Sequence, residues 1–194
     1  MHTNSPHNTA AGIATIGADV PLPESDTVRG AAPAQVAAVP RGEPGIDYGE
    51  TLAAVAELAL RSLADVCIID VLENGELRRV HVAHANPAMA DTARHLLDFP
   101  LDAGRPHLAL KAMATRRPVF LPEVTERMLD SFSQSDEHRG LIRALHPRSL
   151  MAIPLMARGH LLGAATYVSG RRTFSQADLA HGEKLARLAA IELD

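Results

Sequence analysis

Two stretches of the chain carry apolar residues at helical spacing, one on each side of a strand-rich middle. The first begins at Asp47, where Asp47 and Glu50 fit a capping box, and it predicts a helix over about residues 47–64. Its recurring apolar positions are Leu52, Val55, Ala59 and Leu63. The second stretch predicts a helix from an N-cap at Ser175 to the last residue, Asp194.

The middle of the chain predicts two hairpins. Asp65–Leu72 and Leu77–His84 are rich in β-branched residues and are separated by Asn74-Gly75, a pair that favours a two-residue hairpin turn. The second hairpin consists of Arg148–Ala157 and His160–Ser169. Hairpin-length connections join antiparallel strands only, so the sheet is predicted to be antiparallel.

Helices and one short strand are predicted between the hairpins. Asn86 and Pro87 fit an N-cap and the first position of a helix that reaches about Asp98. The remaining elements are a helix over His107–Thr115, a strand over Pro118–Leu121, and one or two helices between Pro122 and Leu145. The order α-β-β-α-α-β-α-β-β-α predicts an α+β fold, with the first and last helices on one sheet face and the central helices on the other.

Composition excludes several function classes. The 194 residues carry a net charge of −4, four Phe, two Tyr and no Trp, which argues against a nucleic-acid surface. No apolar run approaches the ~20 residues that span a membrane, and the first residues do not resemble a secretory signal. These observations predict a cytoplasmic protein with neither nucleic acid nor membrane as a partner.

Residues 1–44 differ in composition from the rest. They contain six prolines, many Ala and Thr, and no apolar periodicity, so they are predicted to form a disordered N-terminal tail. Residues 45–194 are predicted to form one domain.

Three segments of this domain resemble the GAF sensor domains of bacterial signalling proteins. Asp65–Pro87 resembles the opening GAF hairpin, Arg148–Gly163 resembles the second hairpin, and Arg172–Leu179 is similar to the turn before the terminal helix. The subgroup resembles the GAF modules placed before histidine kinase or PPM-type phosphatase domains. The resemblance implies a GAF/PAS-like central antiparallel sheet of five to six strands with helices on both faces.

The resemblance also implies a function: a non-catalytic sensory module of a two-component or related signalling system. Such a module binds a small molecule between the sheet and the central helices and signals through its terminal helices to an effector kinase or phosphatase domain. The elements that face this space supply the candidate ligand-binding residues His84, Met89, Leu96, Phe99, Leu108, Met113, Val119, Leu145, Met151 and Ile153. The alternative is a ligand-free module that dimerises and scaffolds an output domain.

No cofactor is required by this interpretation, and the ligand is not identified. Haem is a weaker alternative, with His84, His95 and His107 as candidate ligands, since some GAF relatives bind haem through one histidine. Cyclic nucleotide is another, since Phe132 followed by Asp136-Glu137 matches the end of the motif in cyclic-nucleotide GAF domains, although the Asn-Lys pair is missing. No metal site is predicted, because His81 and His84 fall on opposite strand faces.

The sequence also carries predictions about catalysis and self-association. The chain has none of the phosphate-loop, dinucleotide or nucleophile-elbow motifs, and its one cysteine, Cys67, lies on an apolar strand face, so it is not predicted to be an enzyme. Apolar stripes on the terminal helices predict a homodimer, with Leu58 and Leu185 at the interface.

Overall fold

The architecture is seen in a computed structural model, which describes Ala14–Thr15 and residues 48–194. The strands are β1 (Ala14–Thr15), β2 (Val66–Glu73), β3 (Glu76–His84), β4 (Val119–Leu121), β5 (Ser149–Ala157) and β6 (His160–Ser169). The helices are α1 (Tyr48–Ser62), α2 (Ala90–Arg94), α3 (Leu108–Thr115), α4 (Glu126–Phe132), α5 (Asp136–Ala144) and α6 (Gln176–Leu193). The predicted tail, residues 1–44, and the predicted cap at Asp47 lie outside the described residues, apart from Ala14–Thr15.

The strands form one sheet in the order β1-β4-β5-β6-β2-β3. Strand β1 pairs with β4 in parallel, and the pairs β4–β5, β5–β6, β6–β2 and β2–β3 are antiparallel. Both predicted hairpins are confirmed, and Val66 pairs with His84 across the first of them. Asn74 and Gly75 form its turn with φ of 54° and 85°, the left-handed conformation that makes Asn-Gly favourable there.

The sheet separates two hydrophobic cores, as the order of elements predicted. One core packs α1 and α6 against side chains such as Ile69, Met151 and Tyr167. The other packs α2 to α5 against Ile68, Val168 and their neighbours. Consecutive residues Ile68 and Ile69 therefore enter different cores, because side chains alternate along a strand.

The helix predicted from Asn86 to Asp98 is the main local difference. Asn86 is the N-cap and its side chain accepts from the backbone N–H of Ala88, as predicted, but the segment is split into a 3₁₀ turn, the short α2 and a second 3₁₀ turn over His95–Asp98. The carbonyl oxygens of Leu96 and Phe99 at this last turn accept hydrogen bonds from Arg79 on β3. The apolar pattern of the sequence cannot predict a contact of this kind with a distant strand.

Helices α4 and α5 resolve the segment predicted to hold one or two helices. Thr125 caps α4 and Ser135 caps α5 through their side-chain oxygens. At α6, Ser175 and Asp178 form a full capping box. The caps thus fix where the central helices begin above the sheet, and these helices enclose a cavity against it.

Candidate functional site

A cavity of about 60 Å³ lies between the sheet and the central helices. Its floor is made by β2, β5 and β6, and its walls come from α3, α4, α5 and the turn at Leu96. Most of the lining is apolar, including Ile68, Leu129, Leu145, Leu150 and Val168. Four lining residues are polar, namely Arg79, His107, His138 and Thr166. A mainly apolar cavity with a few convergent polar groups is the usual form of a small-molecule site.

Arg79 reaches this face of the sheet because of a β-bulge. Ile69 pairs with His81 whereas Asp70 pairs with Arg79, so Val80 is an extra residue in β3. The inserted residue reverses the alternation of β3, and Arg79 falls on the cavity side next to Asp70. With regular alternation from Val82, the Arg79 side chain would point toward α1.

Arg79 and Asp70 form a buried ion pair. Arg79 Nε donates to Asp70 Oδ1 at 2.9 Å, with the two side chains 3% and 1% exposed. Arg79 Nη1 also donates to the carbonyl oxygens of Phe99 at 2.8 Å and Leu96 at 3.3 Å. Burial raises the pKa of Asp70, and the neighbouring Arg79 charge opposes this shift. Arg79 therefore links β2 to the turn at Leu96 that forms part of the cavity wall.

His107 and His138 use one ring nitrogen each to hold a backbone amide. His107 is the N-cap of α3, where its Nδ1 accepts from Ala109 N–H at 3.2 Å, and Nδ1 of His138 accepts from Gln134 N–H at 3.1 Å. An accepting Nδ1 in a neutral ring places the proton on Nε2. Both rings therefore carry an Nε2–H donor, and neither Nε2 has a partner among the described residues.

The histidines are held neutral by their surroundings. Burial, with the charges of Arg79 and His138, lowers the pKa of His107 to about 3. Burial, with the charges of Arg79 and Arg105, lowers the pKa of His138 to about 4. The His138 ring also stacks on Phe99, with ring centroids 4.7 Å apart. Both rings are therefore neutral near neutral pH, and each carries an Nε2–H donor.

Thr166 is the polar group of the cavity floor. It lies on β6 opposite Ile68, and its side chain is almost fully buried. Its Oγ1 has no hydrogen-bond partner in the part of the chain that the structure describes. A buried hydroxyl without a partner lowers the stability of the folded chain. The cost is removed if a bound group completes its hydrogen bonds.

A smaller opening adjoins the cavity on its outer side. Arg79, His107, Phe132 and His138 line both spaces, and the outer one is completed by the loop residues Leu101, Asp102, Arg105, Pro106 and Gln134. Arg105 closes part of this rim by donating to the carbonyl of Ser133 at 2.8 Å. The four shared residues thus stand between the cavity and the 101–106 loop.

The candidate residues predicted from the sequence fall into three groups. Leu96, Leu108 and Leu145 line the cavity. Met89, Phe99, Met113 and Val119 lie in or beside the same core without lining it. His84, Met151 and Ile153 lie elsewhere.

These last three assignments are wrong for this cavity. Met151 and Ile153 belong to the opposite core and lie against Gly182 of α6, because odd-numbered residues of β5 face that side. His84 lies at the end of β3, where its Nδ1 accepts from Asn86 N–H. The polar residues Arg79, His138 and Thr166 were missed, because the β3 bulge and the Gln134–His138 hydrogen bond are tertiary features and the unpartnered Thr166 hydroxyl leaves no signal in the sequence.

The other candidate chemistries find no support in this geometry. Burial raises the pKa of Cys67 to about 12, so its thiol is not reactive. His95 is exposed, His107 caps α3, and a space of about 60 Å³ is far too small for a macrocycle. Asp136 and Glu137 occupy the first turn of α5, and Asp136 pairs with Arg139 at the surface. Among the described residues, no group of three or more His, Cys, Asp or Glu could hold a metal ion.

The terminal helices present a separate apolar surface. Leu58 of α1 and Leu188 and Ile191 of α6 are 48%, 46% and 61% exposed. Leu185, the other predicted interface residue, is only 4% exposed and packs in the core between α6 and the sheet. That assignment is therefore wrong, since the helix turns Leu185 inward. None of the described helices has the length and apolar character that crossing a bilayer demands.

A mainly antiparallel sheet with helices on both faces and a small cavity on one side places the domain in the α+β class. The family model for the GAF domain matches residues 47–193, and the chain belongs to the GAF family. GAF domains are sensory and regulatory modules of signalling proteins. No curated protein matches the sequence.

Solved structures support the fold. The chain is similar to a GAF domain/HD domain protein from Geobacter sulfurreducens, with 18% identity, a TM-score of 0.59, and coverage of 76% of this chain and 92% of that one. It is similar to the GAF domain of an Acinetobacter phosphoenolpyruvate-protein phosphotransferase, with 15% identity, a TM-score of 0.55 and coverage of 77% and 84%. A type II free methionine-R-sulfoxide reductase from Thermoplasma acidophilum matches with 19% identity, a TM-score of 0.52 and coverage of 76% and 95%.

Proposed function

We propose that this chain is a non-catalytic sensory module that binds a small molecule in the cavity between its sheet and central helices. The observation that carries this proposal is the buried Thr166 hydroxyl, which faces the cavity without a partner. A cavity that served packing alone would be fully apolar, because a hydroxyl there only costs stability. The hydroxyl is explained if a ligand completes its hydrogen bonds.

The contacts of Arg79 supply a route by which the cavity could affect the rest of the domain. Its guanidinium joins Asp70 on β2 to the carbonyl oxygens of Leu96 and Phe99 on the cavity wall. The other face of β2 and β3 packs on α1, and α1 packs on α6. We propose that a ligand that shifts Arg79 alters the packing of these two helices, and that they pass the signal to a kinase, phosphatase or other effector domain.

A regulatory role fits the chemistry of the cavity better than catalysis. One relative with this fold is an enzyme, the methionine sulfoxide reductase. In this chain the one cysteine is buried, and burial raises the pKa of Cys67 to about 12. Cys67 also lies in the core on the α1 side of the sheet, away from the cavity. The thiolate that redox chemistry needs is therefore absent at neutral pH.

A cavity-filling variant tests this proposal. Leu150 lines the cavity from β5, and Leu150→Phe would occupy part of it. A library of small polar fragments should raise the thermal midpoint of the wild-type chain, since a ligand at 100 times its Kd stabilises the folded state by ~2.7 kcal/mol. Leu150→Phe should lose that response, whereas Leu188→Phe, at an exposed position of α6, should keep it. A hit that stabilises Leu150→Phe equally would place binding elsewhere.

Self-association is the second candidate function. The exposed Leu58, Leu188 and Ile191 favour it, because three large apolar side chains lie in water on the paired terminal helices. In that case the domain dimerises and scaffolds an output domain, with or without a ligand. Sedimentation velocity of the wild-type chain beside Leu58→Glu and Leu188→Glu tests this candidate.

A further inference from the structure

We infer that the cavity selects a small carboxylate, a compact monoanion with a short apolar remainder. This inference rests on the proposed function, because it names the ligand class for the same cavity. It is carried by the balance of hydrogen-bond donors and acceptors at Arg79, His107, His138 and Thr166, all of which line that space.

The donors outnumber the acceptors. The Nε2–H groups of His107 and His138 are unpaired, since both Nδ1 atoms hold backbone amides. Arg79 uses Nε and Nη1 for protein contacts, and its Nη2 makes no hydrogen bond with the described residues. With the Thr166 hydroxyl, up to five N–H or O–H bonds are available. The one carboxylate near them, Asp70, is paired with Arg79 through Oδ1; its buried Oδ2 has no partner among the described residues, but Asp70 does not line the cavity.

This count favours a carboxylate over other acceptors. A ketone or amide oxygen offers two lone pairs, whereas a carboxylate offers about four across two oxygens. Hydrogen bonds to an ionised acceptor are also about twice as strong as those between neutral groups. An amine or ammonium ligand is disfavoured, because the unpaired ring nitrogens of His107 and His138 are donors and the cation Arg79 lines the cavity.

The volume of the cavity limits the size of the apolar part of the ligand. A water molecule needs about 10–15 Å³ on this measure, so about 60 Å³ accommodates about four to six such groups. The remaining lining is apolar, with Ile68, Ile142 and Leu145 among it. A carboxylate that carries one to three carbons has four to six non-hydrogen atoms and fits this volume, and a nucleotide or a macrocycle does not.

Matched ligand series test the class. Butyrate and isobutyrate are titrated into the full chain by calorimetry at pH 7, beside the amides and alcohols of the same carbon skeletons. We expect the carboxylates to bind at least tenfold more tightly than either neutral series. Equal or tighter binding by an amide or alcohol would overturn the carboxylate inference while leaving a small-molecule site in place. Failure of all three series to bind would also overturn it, and the fragment library would then decide the proposed function separately.

Three substitutions locate the bound group. Thr166→Val preserves shape and should weaken carboxylate binding at least fivefold, whereas Thr173→Val, at an exposed loop position, should not. His107→Asn and His138→Asn keep an acceptor near the position of Nδ1 but lack the Nε2–H donor, and each should also weaken binding at least fivefold. If the carboxylates bind these three variants as well as the wild type, these donors do not recognise the ligand and the inference is wrong.

Discussion

Thr166 shows at the scale of a single residue how a site can conflict with stability. Its hydroxyl is buried without a partner among the described residues, and it lies in a strand where valine is favourable. We expect Thr166→Val to raise the free energy of unfolding of the ligand-free chain by up to about 1–2 kcal/mol. Urea denaturation measures this, with Thr173→Val as the control. A destabilised Thr166→Val would mean that the hydroxyl already has a partner, such as a bound water.

The Arg79–Asp70 pair should behave as a unit. Arg79→Met leaves a buried carboxylate unpaired and should destabilise the chain by about 3–5 kcal/mol. The double variant Asp70→Leu/Arg79→Met removes both charges and should recover at least half of that loss. The recovery is partial, because the carbonyl oxygens of Leu96 and Phe99 still lose their donor. Additive losses in urea denaturation would show that the two side chains are not coupled.

The buried histidines should make stability depend on pH. Burial lowers the pKa of His107 to about 3 and that of His138 to about 4, against 6.5 for an ordinary histidine. The unfolded chain therefore binds more protons below pH 6.5, and each histidine lowers the free energy of unfolding as the pH falls from there toward its folded pKa. The limiting slope is about 1.4 kcal/mol per pH unit for each group.

Denaturation between pH 7 and pH 4.5 measures this slope, and the asparagine variants are its controls. His138→Asn keeps an acceptor for Gln134 N–H and has no titrating ring, so its slope should be smaller than that of the wild type. Exposed Thr173 offers a comparison that changes no ionisable group, since Thr173→Asn should leave the slope unchanged. An equal slope in wild type and His138→Asn would show that His138 titrates normally in the folded chain.

Sequence patterns predicted some of the cavity-lining residues, and the others were missed because tertiary contacts place them. Leu96, Leu108 and Leu145 were predicted because apolar periodicity marks the buried side of a helix. Arg79 was not, since alternation along β3 places it on the wrong face until the bulge at Val80 is known. Thr166 carries no signal in one sequence, because nothing in its neighbours shows that its hydroxyl lacks a partner.

At the scale of elements, Gly163 fixes how closely β6 approaches β2. A Cβ added there would lie 2.1 Å from the backbone oxygen of Asp70, and the residue has φ of 155°. Gly163→Ala should therefore force the strands apart and destabilise the chain by more than about 3 kcal/mol. Gly140 in α5 is the matched control, because its added Cβ meets nothing within 4 Å and alanine is favoured in helices by about 1 kcal/mol. Thermal unfolding of both variants gives the comparison, and a mild effect of Gly163→Ala would contradict this packing.

The elements themselves were largely predictable, and the exceptions have tertiary causes. Asn74-Gly75 predicts its hairpin because the turn needs the left-handed backbone that these two residues tolerate. The caps at Asn86 and Ser175 are equally local, and both are confirmed. The split of the 86–98 segment was missed, since it coincides with hydrogen bonds from a distant arginine.

At the scale of the whole molecule, the exposed apolar residues of the terminal helices should mediate a dimer. Leu58→Glu and Leu188→Glu should each shift the chain toward monomer in sedimentation velocity without lowering the thermal midpoint much, because both side chains are about half exposed. Leu185→Glu should instead unfold the domain, since Leu185 is in the core. A wild-type chain that stays monomeric at high micromolar concentration would contradict this assembly.

The central claim, that the cavity is the ligand site, is tested most directly by methyl NMR of the isoleucines. Ile68 and Ile142 line the cavity, whereas Ile69 and Ile153 lie across the sheet in the other core. Titration with butyrate should shift the Ile68 and Ile142 methyl signals in a saturable manner and move Ile69 and Ile153 much less. Saturable shifts at Ile69 and Ile153 that leave Ile68 and Ile142 in place would contradict the account, as would the absence of any shift with every fragment that stabilises the chain.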